Sequence, residues 1–158
     1  MPRRKASTAA AAAIWGGLPS GSKVFVDTAP IIYVLESNPV HADDFVGLFE
    51  AAADGAITIA LSTVTLAEVL TGPCKAGQAA LAKRYEIALC QYEVLPVTVP
   101  IAALAAQMRA LHRLKLPDAL QLATALECGA NAFVTHDRDF SDITALPILM
   151  GPRARLGA

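Results

Sequence analysis

The sequence predicts an α/β fold with a mainly parallel sheet covered by helices on both faces. Two observations carry this reading. From residue 23 onward, short apolar runs suited to buried strands alternate with longer stretches whose apolar residues recur at helical spacing. Turn and stop signals, Asp54-Gly55, Gly72-Pro73 and Gly129, fall between those stretches. A length of 158 residues suits one domain that folds without disulfides or structural metals.

The elements are expected in this order. Val24-Phe25-Val26 is a buried strand ending at Asp27, followed by a helix through Ile31, Ile32 and Leu35. A second helix runs from about Asp43 to Ala53, with Phe45, Leu48 and Phe49 on one face. Ile57 to Leu61 is the second strand, and the helix carrying Leu66, Val69 and Leu70 is expected to stop at Gly72-Pro73. Residues 78–91 look helical, and Val94 and Leu95 form a short third strand. Leu104, Ala105, Met108 and Leu111 keep the helical repeat, and Pro117 opens a further helix, since proline fits a first turn. Ala132-Phe133-Val134 and Ile148-Leu149-Met150 complete the strands.

Residues 1–22 are basic, then alanine-rich, then rich in glycine, proline and serine. They read as a flexible or helical extension before a domain spanning 23–150, with 151–158 as a tail. No apolar run reaches the roughly 20 residues of a membrane-spanning helix, so no membrane partner is expected. Cys74, Cys90 and Cys128 stand apart and are read as small buried apolar side chains in a cytoplasmic protein. A net charge of -1 argues against a broad electrostatic grip on duplex nucleic acid and points to a compact site.

Four acids fall where an open parallel sheet binds ligands, outside the carboxyl ends of its strands. Asp27 ends the first strand, Glu68 lies on the helix after the second, Asp118 opens a later helix, and Asp137 follows the strand through Val134. Each has an ordinary explanation. Asp27 can cap its helix; Thr65-Leu66-Ala67-Glu68 has the form of a capping box; Asp118 suits a helix start; Asp137 sits in a polar turn. Capping does not explain why acids follow several apolar strands in an alternating pattern. Clustered carboxylates repel one another unless a cation joins them, and hard oxygen ligands suit Mg²⁺ or Mn²⁺. His41, His112 and His136 lack metal-ligand spacing, and Ser62 reads as a loop or cap residue.

Phe25-Val26-Asp27-Thr28, Leu66-Ala67-Glu68-Val69-Leu70 before Gly72-Pro73, Leu116-Pro117-Asp118-Ala119-Leu120, and Val134-Thr135-His136-Asp137-Arg138-Asp139-Phe140 resemble the successive motifs of PIN domains, and most of all those of VapC-type toxins. The resemblance covers about residues 23 to 150. It implies a three-layer α/β/α sandwich and a metal-dependent ribonuclease using Mg²⁺ or Mn²⁺, with Asp27, Glu68, Asp118 and Asp137 as its acidic residues. On this reading Asp27 and Asp118 ligate the metal, and Glu68 and Asp137 complete the pocket directly or through water. Thr28 and Thr135 match neighbouring polar positions that could orient metal-bound water. The resemblance also implies a cognate antitoxin protein, an RNA substrate and a homodimer; alanine-rich and apolar helix faces, including Leu81, Ile87 and Leu89, exceed what a small core needs and fit self-association.

Arg109, His112, Arg113 and Lys115 precede Asp118 and form either a solvated helix face or a basic rim for RNA; Arg138 is either a salt-bridge partner or a phosphate contact. Rival functions remain open at this level. A phosphatase of the haloacid dehalogenase type would want a second aspartate at position 29, which holds Ala29. A receiver-like phosphoacceptor would want an acidic pair near the first strand and a late lysine. A PIN fold serving only as a binding scaffold would keep the architecture without the chemistry.

Overall fold

The computed structural model describes Trp15 and residues 17–152. Five parallel strands form one sheet: β1 (Lys23–Val26), β2 (Thr58–Ser62), β3 (Glu93–Leu95), β4 (Ala132–Val134) and β5 (Ile148–Leu149), in the spatial order β3-β2-β1-β4-β5. Six helices connect them: α1 (Thr28–Leu35), α2 (Ala42–Ala53), α3 (Thr63–Lys75), α4 (Ala79–Leu89), α5 (Val99–His112) and α6 (Leu116–Glu127). A short 3₁₀ turn spans Arg138–Phe140.

The strand alternation sorts the core into two layers, because successive side chains leave opposite faces of a sheet. Val24, Val26, Ile59, Leu61, Ala132, Val134 and Leu149 pack with Ile31, Phe45, Leu48, Val69 and Leu89 of α1 to α4. Phe25, Ala60 and Phe133 pack on the other face with Ile101, Ala105, Ala119 and Leu122 of α5 and α6. The three-layer sandwich therefore follows from period-two strands that are apolar on both sides. Phe25 and Phe133 face each other in the β1/β4 register and stack at 5.4 Å, and Phe140 continues the stack at 4.7 Å from Phe133. That aromatic column roots the 3₁₀ turn in the core.

Three local expectations need correction. First, α3 runs through Gly72 and Pro73 to Lys75, so Gly72-Pro73 does not stop it. A proline one turn from a helix end forfeits only one backbone bond. Second, Thr65 is not the cap of α3. Ser62 caps it, accepting from the Thr65 amide at 3.1 Å, because β2 reaches one residue further than Leu61. Third, Cys74 and Cys90 are exposed and Cys128 is half-buried, so the cysteines are not core fillers.

The amino-terminal segment also differs from an appendage where it is described. Trp15 is 4% exposed and Leu18 5%, both within the α1–α4 core. The Trp15 indole donates to the Asp44 carbonyl at 3.2 Å and lies 6.3 Å from Phe45. The Gly21 amide donates to the Ala56 carbonyl at 2.7 Å, tying the segment to the start of β2. A boundary after residue 22 would cut through this packing; residues 1–14, 16 and 153–158 lie outside the described residues. Truncating buried tryptophan typically costs about 3–5 kcal/mol. Trp15→Ala is expected to lower the unfolding free energy by that order in urea titration. A near-neutral result would remove Trp15 from the core.

Candidate active site

A strand order of 3-2-1-4-5 places the topological switch between β1 and β4, where connections leave toward opposite sides of the sheet. The carboxyl ends of those two strands carry Asp27 and Thr135. Asp27 extends the ladder by donating its amide to the Val134 carbonyl at 2.8 Å. It then caps α1, accepting from the Thr28 amide at 2.8 Å through Oδ1, while Oδ2 accepts from the Thr135 hydroxyl at 2.7 Å. Asp27 is only 7% exposed. The Thr135 hydroxyl in turn accepts from the Asp137 amide at 3.0 Å, and Asp137 Oδ1 accepts from the Asp139 amide at 2.9 Å. One chain of hydrogen bonds thus runs from the end of β1 across β4 into the 3₁₀ turn.

Asp118 reaches the same place from the first turn of α6, where Pro117 supplies a fixed φ and needs no amide partner. Carboxylate oxygens of Asp118, Asp137 and Asp139 lie within 4.8 Å of one another. Asp27 stands outside that closest group, with each oxygen already holding one hydrogen bond, but its charge is felt at Asp118. Glu68 comes from the middle of α3, and its charge is felt at Asp27. The structure therefore brings together all four acids singled out in the sequence, and adds Asp139. The sequence signal for Asp139 was its spacing: two residues past Asp137, just before the buried Phe140.

Gln121 is the second residue missed. It is 1% exposed, on the buried face of α6. Its Oε1 accepts from the hydroxyls of Ser62 at 3.0 Å and Thr65 at 2.8 Å, and its Nε2 donates to the Thr28 hydroxyl at 3.1 Å. One amide thereby joins β2, α3, α6 and the start of α1. Among the described residues no buried side-chain polar atom lacks a partner, so this polar layer is fully satisfied. Thr28 and Thr135 both take part in this scaffold: the Thr28 hydroxyl accepts from Gln121, and the Thr135 hydroxyl donates to Asp27 and so holds that carboxylate.

Electrostatics reflect the crowding. Burial pushes the Asp27 carboxyl up; the Thr135 and Thr28 hydrogen bonds pull it back, and Glu68 and Asp137 push it further up. Burial also raises Glu68, opposed by the Thr28 hydroxyl and reinforced by Asp118. Asp118 is raised to about 6, first by burial and then by the charges of Asp27 and Asp137, with Lys115 opposing. Lys115 is thus the expected rim residue with a charge felt at the site. Arg109 and His112 end α5, Arg113 is its left-handed cap, and Arg138 is exposed in the 3₁₀ turn. The ion pairs among the described residues are Lys23–Glu93 and Lys83–Glu86, so Arg138 is not a salt-bridge partner there.

All donors in the cluster are carboxylate oxygens, and no ion pair among the described residues neutralises them. That donor set fits a hard divalent cation such as Mg²⁺ or Mn²⁺, which would be held by Asp118, Asp137 and Asp139, with Asp27 able to join through its remaining lone pairs.

A raised folded-state pKa for an acid means the folded protein binds more protons than the unfolded chain between the two pKa values. Stability of the cation-free protein should then fall as pH rises from about 4 through about 6, the window set by Asp118. Asp118→Asn removes that penalty. In thermal melts with chelator, the variant is expected to gain on the wild type as pH rises across this window. A wild-type minus variant difference that is flat with pH would contradict the crowding.

Comparison with known proteins adds the lineage. Residues 24–146 match the family model described as PIN domain. No curated protein matches the chain. A toxin–antitoxin complex from Klebsiella pneumoniae is similar at 25% identity and a TM-score of 0.64, over 82% of this chain and 97% of that one. VapBC2 from Rickettsia felis, bound to a DNA fragment from its promoter, is similar at 21% identity and 0.66, over 80% and 96%. VapC20 from Mycobacterium tuberculosis, a sarcin–ricin-loop-cleaving toxin, is similar at 18% identity and 0.63, over 78% and 98%. With a family match spanning most of its length, the chain belongs to the PIN domain family.

Proposed function

We propose that this protein is a metal-dependent ribonuclease and the toxin of a toxin–antitoxin pair. The observation that carries the reading is the convergence of Asp27, Glu68, Asp118, Asp137 and Asp139 on the switch point of the sheet. Membership of the PIN domain family and the likeness to toxin–antitoxin structures support it.

A bound Mg²⁺ or Mn²⁺ supplies a lowered pKa for water and neutralises phosphoryl charge. The residues do the rest. Asp118, Asp137 and Asp139 would hold the cation, with Asp27 beside them. Glu68, facing them from α3, accepts a hydrogen bond from the attacking water and orients it. Water oxygen bonds to phosphorus as the bond to the 3′ oxygen breaks; the proton the water loses passes to solvent and the departing 3′ oxygen takes one from solvent, leaving a 5′-phosphate and a 3′-hydroxyl. Lys115, whose charge is felt at Asp118, would meet a phosphate of the strand, with Arg109, Arg113 and Arg138 as further contacts around the rim. An RNA strand in a cytoplasmic setting is the substrate.

The same acidic pocket suits a regulator. An antitoxin that presents arginine there matches carboxylate geometry with its planar fork. Self-association has surface available: Ile87 is 55% exposed and Leu111 71%, whereas Leu89, also expected there, is buried in the core. A two-fold homodimer through such apolar positions is part of the proposal.

The test is cleavage of total cellular RNA by purified protein. Cleavage is expected with Mg²⁺ or Mn²⁺ and is expected to stop with excess chelator. Asp118→Asn should lower the rate by roughly two orders of magnitude or more while keeping the fold. Expression of the wild type, but not of Asp118→Asn, should arrest growth. Unchanged cleavage by a folded Asp118→Asn protein in chelator would remove the mechanism; cleavage without growth arrest would remove the toxin role alone.

A further inference from the structure

Beside the acidic centre lies a set of rings that the proposed chemistry does not use. Tyr33 is on α1, the helix that Asp27 caps. His41 immediately precedes α2, and His136 stands between Thr135 and Asp137. The His41 and His136 ring centres are 4.5 Å apart, Tyr33 is 4.7 Å from His41, and Tyr33 meets His136 edge-on at 5.5 Å. Tyr33 Oη and His136 Nδ1 are 3.0 Å apart, within hydrogen-bond reach, which fixes the imidazole orientation. Phe45 backs the set, 6.1 Å from both Tyr33 and His136, and Trp15 backs Phe45.

These rings are not core. His136 is exposed, and Tyr33 and His41 are half-buried, while Phe45 and Trp15 behind them are buried. Holding several aromatic side chains in one arrangement at the surface costs rotamer freedom, and a ligand that meets them already arranged recovers affinity. His41 does not serve as a side-chain cap for α2, so helix capping does not account for it.

The charge balance says what such a ligand must offer. With a net charge of -1 and five carboxylates gathered at the site, the few basic residues on its rim supply only part of what holds a nucleic-acid strand. Stacking of bases on aromatic rings, histidine included, supplies affinity that does not depend on net charge and tolerates sequence. A duplex hides its base faces; an unpaired strand offers them.

We propose that Tyr33, His41 and His136 form a nucleobase-stacking subsite, which takes an unpaired base of single-stranded RNA next to the phosphodiester held at the acidic centre. This rests on the ribonuclease reading for its location, but it concerns binding and is tested without cleavage.

The experiment measures anisotropy of a short fluorescent oligoadenylate with the Asp118→Asn protein, which cannot confuse binding with turnover. A second strand has the same length and phosphates but abasic riboses. His41→Leu is expected to weaken oligoadenylate binding about tenfold, and His41→Phe, which restores a ring, to recover most of it. The abasic strand is expected to bind weakly and equally to both. Oligoadenylate and abasic strand binding alike to the protein with its rings intact would overturn the proposal, and that comparison needs no substitution in the cluster. So would oligoadenylate binding that His41→Leu leaves unchanged, or no binding at all. Any of these leaves RNA cleavage by the wild type unaffected, and absent cleavage leaves the binding comparison intact.

Discussion

The 2.7 Å hydrogen bond from the Thr135 hydroxyl to Asp27 is the interaction on which the site depends. It bridges the ends of β1 and β4, the two strands at which the sheet reverses its direction of growth. Both partners are buried, so the bond is made where an unpaired carboxylate or hydroxyl would be costly. The register beneath it is set by apolar packing, with Val26 opposite Val134 and Phe25 stacked on Phe133. Hydrophobic alternation thereby determines where the carboxylate of Asp27 ends up, and the hydroxyl determines how it is turned.

From that bond the polar structure spreads in two directions. Thr135 accepts from Asp137, and Asp137 from Asp139, with Phe140 plugging the turn into the core. On the other side Thr28 accepts from Gln121, which also gathers Ser62 and Thr65 at the start of α3. The acids are consequently forced together from separate elements. Burial and mutual repulsion raise the pKa of Asp27, Glu68 and Asp118 together, which is a cost to the cation-free fold. That the acids carry this cost while the surrounding buried polar side chains are all satisfied supports the proposal that a cation binds among them.

Much of this is legible in the residues. Asp27 directly after Val24-Phe25-Val26, and Asp118 directly after Pro117, announce their positions through strand and helix grammar. The four motifs in order pointed to the fold that the family match and the strand order bear out. Asp139 was hidden because a polar turn gives every aspartate a local explanation, and only the burial of Phe140 shows which way the turn faces. Gln121 left a signal that went unused: one amide among Leu120, Leu122 and Ala123, on a helix face that otherwise reads as core. Trp15 could not be placed from its neighbours, since a lone aromatic after an alanine run has no periodicity to reveal its face. Ser62 and Thr65 are both competent caps for α3, and the length of β2 decides for Ser62.

The most direct test of this account is Mn²⁺ affinity, followed by electron paramagnetic resonance of the free ion, in wild type and Thr135→Val. The substitution keeps shape and removes the hydroxyl that turns Asp27, without touching a carboxylate. Loss of such a supporting partner typically weakens a metal site about 10- to 100-fold. The account expects a saturable Mn²⁺ site in the wild type and a loss of that order in a folded Thr135→Val protein. Equal Mn²⁺ binding by the two, with the variant folded, would contradict it.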